Sequence, residues 1–244
     1  MNLQNKVVLI TGGARRVGRC LVENFARRGA RIAFTYKTSK KDADLMVKHL
    51  YKNEVPAVAY PAEMGKLNDV AKILKDLKKR WGGIDVLINN AADFYRTPLE
   101  KITEKDWDHF MTVNLKGSFL FAWQAGLEMK KKGFGKIVNI ADWAGERPYR
   151  NYLPYCVSKS GIIGLTKALA KELAPEVCVN AVSPGPVLPL TGTTNADQKK
   201  LIRNLPLKKI GSPRDIAEAT LFLVEKTDFA TGTVLAVDGG RLIQ

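Results

Sequence analysis

Cysteine and histidine are scarce in this chain, with three of the first and two of the second among 244 residues. Cys20, Cys156 and Cys178 are odd in number, far apart and without a C-x-x-C pair. That argues against a disulfide framework or a zinc site and leaves reduced thiols. His49 and His109 alone give little scope for a histidine metal centre or a Ser–His triad, so no metal is expected. No apolar run approaches the roughly eighteen residues that a membrane span needs. The opening MNLQNKVVLITGG lacks the basic-then-apolar pattern of a secretory leader. A cytoplasmic protein with no membrane partner is therefore expected.

Negative charge is also in short supply: 24 Asp and Glu face 39 Lys and Arg, for a formal net charge of +15. Nucleic-acid binding is one reading of such an excess. The cations, however, are spread over stretches such as KLNDVAKILKDLKKRW, where they read as solvated helix faces. The dense cluster Lys130-Lys131-Lys132 closes a helix, where cations suit the dipole. An anionic small ligand on a basic surface is favoured over a nucleic-acid partner.

What is present alternates strand and helix. KVVLI (6–10) reads as a buried strand. TGGARRVG follows, then an amphipathic stretch to Arg28. Gly12 and Gly18 permit a tight turn, and the helix start offers N–H groups to a phosphate. Such a turn is a weak signal alone and a moderate one between a first strand and a helix. RIAFTY (31–36) is the second strand. An NAD site would place an acid at its end to bind the ribose hydroxyl; here stand Tyr36, Lys37, Thr38 and Ser39. With Arg15 and Arg16, Lys37 and Ser39 could surround a 2′-phosphate, which points to NADPH. Further strands are expected at 56–60, 84–89, 135–141, 177–183 and 233–238. Helices are expected at 40–52, 66–81, 103–131, 153–173 and 212–225. Segment 188–210 has few signals and reads as a substrate-covering lid. Seven strands with helices between them predict one domain (1–244), an open, doubly wound parallel sheet.

Tyr155 and Lys159, four residues apart, share one face of the helix expected at 153–173. A free Tyr has a pKa of about 10. An ammonium one turn away favours its phenolate and makes the pair a usable proton donor and acceptor. Taken alone, the pair reads better as a solvated Lys beside a half-buried Tyr, since a Tyr and a Lys at this spacing occur by chance on many helices.

Over its whole length the chain resembles the short-chain dehydrogenase/reductase family. Carrying the resemblance are Thr11-Gly12 to Gly18, Asn89-Asn90-Ala91, Asn114, Tyr155-x-x-x-Lys159, Pro184-Gly185 and Val237-Asp238-Gly239-Gly240. It implies a Rossmann-type fold, a homotetramer with two-fold axes, and a hydride delivered by the nicotinamide. It also implies Tyr155 as proton donor, Lys159 on the nicotinamide ribose, and Asn114 holding a water in the proton relay. The cofactor set it implies is Gly12, Arg15, Arg16, Val17, Tyr36, Lys37, Ser39, Glu63, Met64, Asn90, Ala91, Tyr155, Lys159, Pro184, Gly185 and Val187.

Two departures resemble the pteridine reductase branch. Arg16 replaces the middle glycine of TG-x-x-x-G-x-G, and Asp142 replaces the usual Ser thirteen residues before the Tyr. In that branch the Arg belongs to the NADPH site and an Asp–Tyr pair protonates the pterin ring. Phe94 matches an aromatic that stacks the pterin, though a plain hydrophobic wall would look the same. Ala92 departs from the branch, which commonly has Ser there, and Pro189 stands near the place of a frequent Thr. An NADPH-dependent pterin reductase is the expected function. The alternative is a carbonyl reductase such as a 3-oxoacyl-(acyl-carrier-protein) reductase, whose acidic carrier would suit a basic surface.

Overall fold

The computed structural model describes residues 1–188 and 194–244. Its first half holds β1 (Val7–Ile10), α1 (Arg16–Ala26), β2 (Arg31–Tyr36), α2 (Lys40–Lys52), β3 (Ala57–Pro61), α3 (Leu67–Trp81) and β4 (Val86–Asn89). The second holds α4 (Glu104–Phe110), α5 (Gly117–Lys132), β5 (Gly135–Ile140), α6 (Leu153–Leu173), β6 (Val177–Pro184), α7 (Asn195–Asn204), α8 (Pro213–Leu221) and β7 (Val234–Val237).

The seven strands form one parallel sheet in the order β3-β2-β1-β4-β5-β6-β7. The chain winds outward from β1 to β3, then returns to β4 on the other side of β1. The strand order reverses there, and such a switch point leaves a crevice beyond the strand ends. Residues 11–12 leave β1 and residues 90–93 leave β4 at this crevice.

Both faces of the sheet are covered, so its strands are apolar throughout rather than alternating. Val8 and Ile10 pack with Leu21, Phe25 and Ile216 on one face. Val7 and Leu9 pack with Leu74, Leu77, Phe121 and Leu173 on the other. Burying each such Leu, Ile or Phe side chain contributes about 1.5–3 kcal/mol. Helix α3 shows the pattern: Val70, Ile73, Leu74 and Leu77 are buried, and Gly82 ends it at φ +81°. Asn89 donates to Asn139 and Asn139 to Thr166, both at 2.9 Å, a buried polar tie from β4 through β5 to α6.

Three expectations are modified. The long helix at 103–131 contains a π-helical turn, Met111–Lys116, between α4 and α5. The helix at 212–225 likewise ends in a π turn, Phe222–Lys226, while Ser212 and Asp215 form its capping box and Pro213 opens it. Segment 188–210 contains α7, started by a Thr194–Asp197 capping box. Helix α7 buries none of its residues, so it leaves no apolar periodicity to read. Residues 189–193 of the expected lid, Pro189 among them, lie outside the described residues.

Candidate active site

At the crevice the β1 and β4 ends are clasped together. Thr11 Oγ1 accepts from the N–H groups of Asn90 and Ala91 at 2.9 and 3.0 Å. Asn90 Nδ2 returns bonds to the carbonyls of Thr11 and Gly12 at 2.9 and 3.2 Å. A Cβ on Gly18 would lie 2.0 Å from the Gly12 carbonyl oxygen, so α1 meets this turn only through glycine. No side chain caps the start of α1, which leaves its first N–H groups and positive dipole end facing the crevice.

A cleft of about 400 Å³ runs from this turn along the ends of β2 and β4. Of the expected cofactor residues, Gly12, Arg15, Arg16, Val17, Tyr36, Lys37, Ser39, Met64, Asn90 and Ala91 line it. Glu63, Pro184, Gly185, Val187, Tyr155 and Lys159 do not line it. Glu63 is ion-paired with Lys66 instead. Gly185 has a packing reason, since a Cβ there would meet the Asp238 backbone at 2.5 Å. Val187 packs against the core.

Sequence reasoning missed Thr35, Ala62, Asp93 and Val113 as lining residues; the first three stand at strand ends or in the loop after one, and Val113 adjoins Asn114 in the π turn, signals that could have found them. The cations also divide. Arg15 is held by Asp42 at 2.5 Å, whereas Arg16 and Lys37 have no carboxylate partner among the described residues. Arg16 sits at φ +53°, in the left-handed region that its position favours for glycine.

Beyond Asp93, the last β4-loop residue to line the cleft, stands a second group of side chains. The π turn brings Asn114 inward, where Nδ2 donates to the Asp93 carbonyl and to Ser158 Oγ, both at 3.1 Å. Asn114 Oδ1 accepts from the Asp93 N–H at 2.9 Å. Ser158 in turn donates to the Tyr155 carbonyl at 2.7 Å, so the π turn is tied to the stretch of α6 that carries Tyr155.

The Tyr155 hydroxyl donates to Asp142 Oδ2 at 2.7 Å, and Asp142 Oδ1 accepts from the Ala144 N–H at 2.8 Å. Lys159 Nζ donates to the Ile140 carbonyl at 2.9 Å and lies 5.8 Å from the centre of the Tyr155 ring. Phe94 stacks on Tyr152 at 4.7 Å and meets Tyr155 edge-on at 4.7 Å. Tyr149 lies 6.5 Å from Tyr155 and 5.0 Å from Trp143. The structure thus gathers Asn114, Asp142, Tyr155, Lys159 and Phe94 into one group, tied to the cleft-lining Asp93 through Asn114.

The electrostatics differ from the expected effect of Lys159 on Tyr155. Burial, then the Asp142 charge, push the Tyr155 phenol well above its ordinary value. Burial raises the Asp142 carboxyl, with the Ala144 N–H and the Lys159 charge opposing. Burial lowers Lys159 to about 8, against the attraction of Asp142. The reason is geometric: the ammonium reaches past the ring to a main-chain carbonyl, while a carboxylate caps the hydroxyl. Among the described residues no group of three or more acidic, Cys or His side chains could hold a metal. No helix among them is long and apolar enough to cross a membrane.

A family model described as enoyl-(acyl carrier protein) reductase matches residues 12–241. The 3-oxoacyl-(acyl-carrier-protein) reductase of Staphylococcus epidermidis is 33% identical over 240 residues, covering 97% of this chain and 98% of that protein. The enzyme of the same name from Aquifex aeolicus is 35% identical over 246 residues, 98% of each. An NAD-dependent glycerol dehydrogenase of Listeria innocua is 34% identical over 252 residues, covering 100% and 96%. This chain belongs to the short-chain dehydrogenase/reductase family and is an oxidoreductase that uses a nicotinamide cofactor. The names of these three relatives do not repeat the resemblance to the pteridine reductase branch.

Proposed function

We propose that the enzyme is an NADPH-dependent reductase of a flat, N–H-bearing heterocycle of the dihydropterin type. The observation that carries this is the bond from the Tyr155 hydroxyl to the Asp142 carboxylate. A carboxylate is an acceptor only, until it is protonated. It suits a substrate edge that offers N–H donors, and once protonated it can pass its proton through Tyr155 to a ring nitrogen. The aromatic wall of Phe94, Tyr149 and Tyr152 supports a planar substrate.

The cleft fits a dinucleotide. Its glycine turn would be filled by a Cβ, and its uncapped helix start suits a pyrophosphate. Gly12, Arg16, Val17, Asn90 and Ala91 would hold the cofactor, with Arg16 and Lys37 taking a 2′-phosphate. The bound cofactor supplies a hydride. Proton supply falls to this chain's own residues. A phenolate at Tyr155 beside an ionised Asp142 is disfavoured. Asp142 instead takes a proton first, which its raised pKa favours. Tyr155 then gives its proton to the substrate nitrogen and regains one from Asp142. The end state is a neutral phenol and a carboxylate facing Lys159, so no lone phenolate forms. Asn114 holds the Asp93 loop and, through Ser158, the α6 turn that carries Tyr155.

A second reading is favoured by the relatives, two of which are named as 3-oxoacyl-(acyl-carrier-protein) reductases. The +15 charge would also suit an acidic carrier. NADPH oxidation by the purified enzyme with a dihydropterin and with acetoacetyl thioesters separates the two. Turnover of the dihydropterin with the higher kcat/KM is expected; efficient turnover of the thioester alone would replace the first reading by the second.

A further inference from the structure

Arg241 stands in the last turn of the chain, with its guanidinium 4.9 Å from the centre of the Trp143 ring. Trp143 directly follows Asp142 and packs 5.0 Å from Tyr149, which in turn packs against Tyr155. The cation therefore sits at the far end of the same aromatic wall that borders the Asp142–Tyr155 pair. A guanidinium has five N–H donors. Among the described residues a single one is used, by Gln244 Oε1 at 2.6 Å.

The nearest acid in sequence, Asp238, does not pair with Arg241. Both its oxygens accept main-chain N–H groups, from Gly240 at 2.9 Å and Leu242 at 2.6 Å. Those bonds fix the turn and so place Arg241. The loop that carries Tyr149 adds Arg147 and Arg150, which form no ion pair among the described residues, against Glu146. A cation set over an indole is common at protein surfaces. Here it is also placed by a capped turn, without a carboxylate among the described residues, at the far end of the wall that borders the reacting groups.

We propose that Arg241, held over Trp143, binds an anionic substituent on the substrate, a carboxylate or phosphate tail remote from the reduced atom. A planar fork already restrained by the indole and by Gln244 loses less freedom than a free one when it binds such a group bidentately. The inference rests on reduction at Tyr155 and deepens the proposed function by giving the substrate a charged tail.

The test compares two substrate pairs in wild type, Arg241→Gln and Arg241→Lys. One pair is dihydrofolate, with its glutamate tail, and a dihydropterin with neutral alkyl substituents. The other is acetoacetyl-coenzyme A and the neutral acetoacetyl-N-acetylcysteamine. In the pair that is turned over, the anionic member is expected to lead in kcat/KM by about tenfold or more. Arg241→Gln should shrink that lead to near one through KM rather than kcat, because the tail is remote from the chemistry. Arg241→Lys should restore part of it. No lead in wild type overturns the proposal, as does an equal fall on both members of the pair. If the pterin pair is ignored and the thioester pair accepted, the pterin reading fails, and Arg241 is judged on the thioesters by the same ratio. An enzyme inert on all four contradicts both.

Discussion

Lys159 is a fully buried ammonium whose pKa falls from an ordinary 10.5 to about 8, chiefly through burial. Below about pH 8 it is protonated in both folded and unfolded chains, and folding bears the full cost of burying the charge. Between that value and 10.5 the unfolded chain binds more protons than the folded one, so stability rises with pH. Above 10.5 the cost is gone. The size of the shift corresponds to about 3 kcal/mol at neutral pH.

Replacing Lys159 by Met keeps the stem and removes the charge. It also leaves the Ile140 carbonyl without its partner, which costs about 1 kcal/mol. Lys159→Met should therefore stabilise the folded enzyme by about 2 kcal/mol at pH 7, with the advantage fading toward pH 10.5. Activity should be lost in the same variant, because the charge that faces Asp142 is gone. The assay is thermal unfolding of both proteins across pH 6.5–10.5, at one protein concentration and without cofactor. A variant less stable than wild type at pH 7, or a difference that does not change with pH, would refute the reasoning. So would a variant that is both stabilised and fully active.

Three further outcomes are expected. Tyr155→Phe should keep NADPH binding, measured by fluorescence titration, and lose about 10²–10⁴-fold in kcat; near-normal turnover would remove Tyr155 from its assigned role. NADPH should exceed NADH by about tenfold or more in kcat/KM, with the lead reduced in Lys37→Ala, because Arg16 and Lys37 stand without carboxylates where an NAD site has an acid; equal use of NADH would contradict this. The exposed stripe Phe119, Trp123 and Leu127 on α5, with Trp107 on α4, supports the proposal of a homotetramer; sedimentation as a monomer at micromolar concentration would end it.

Much of the fold is legible because strands buried on both faces are short apolar runs and their helices carry clear stripes. VVLI and RIAFTY show the first, and Val70, Ile73, Leu74 and Leu77 the second. The seven-stranded parallel sheet expected from this alternation is the one observed. Helix α7 escaped because it buries nothing and its large apolar residues, Leu201 and Ile202, are adjacent rather than periodic, which leaves the Thr194–Asp197 box as its strong mark. The π turn at Met111–Lys116 escaped because one extra residue in a helical turn does not disturb composition.

Within the site, spacing on one helix was enough to bring Tyr155 and Lys159 together, and the motif spacing placed Asp142 beside them. What spacing could not give is direction. Lys159 turns to a carbonyl and Asp142 to the hydroxyl, which reverses the expected effect on the Tyr155 pKa. Arg15 was grouped with Arg16 by adjacency, yet its partner Asp42 comes from the next helix. Arg241 and Trp143 meet only through the fold.

The central claim is that the Asp142–Tyr155 pair selects a nitrogen heterocycle rather than a ketone. Its most direct test is kcat/KM for wild type and Asp142→Ser on one dihydropterin and one acetoacetyl thioester, each with NADPH. Asp142→Ser exchanges an acceptor that must be protonated to donate for a hydroxyl that can donate to a carbonyl. Wild type should favour the dihydropterin, and Asp142→Ser should lose about 10²-fold or more on it while keeping or gaining activity on the thioester. A wild type that ignores the dihydropterin and reduces the thioester well, with Asp142→Ser changing neither, would contradict the account.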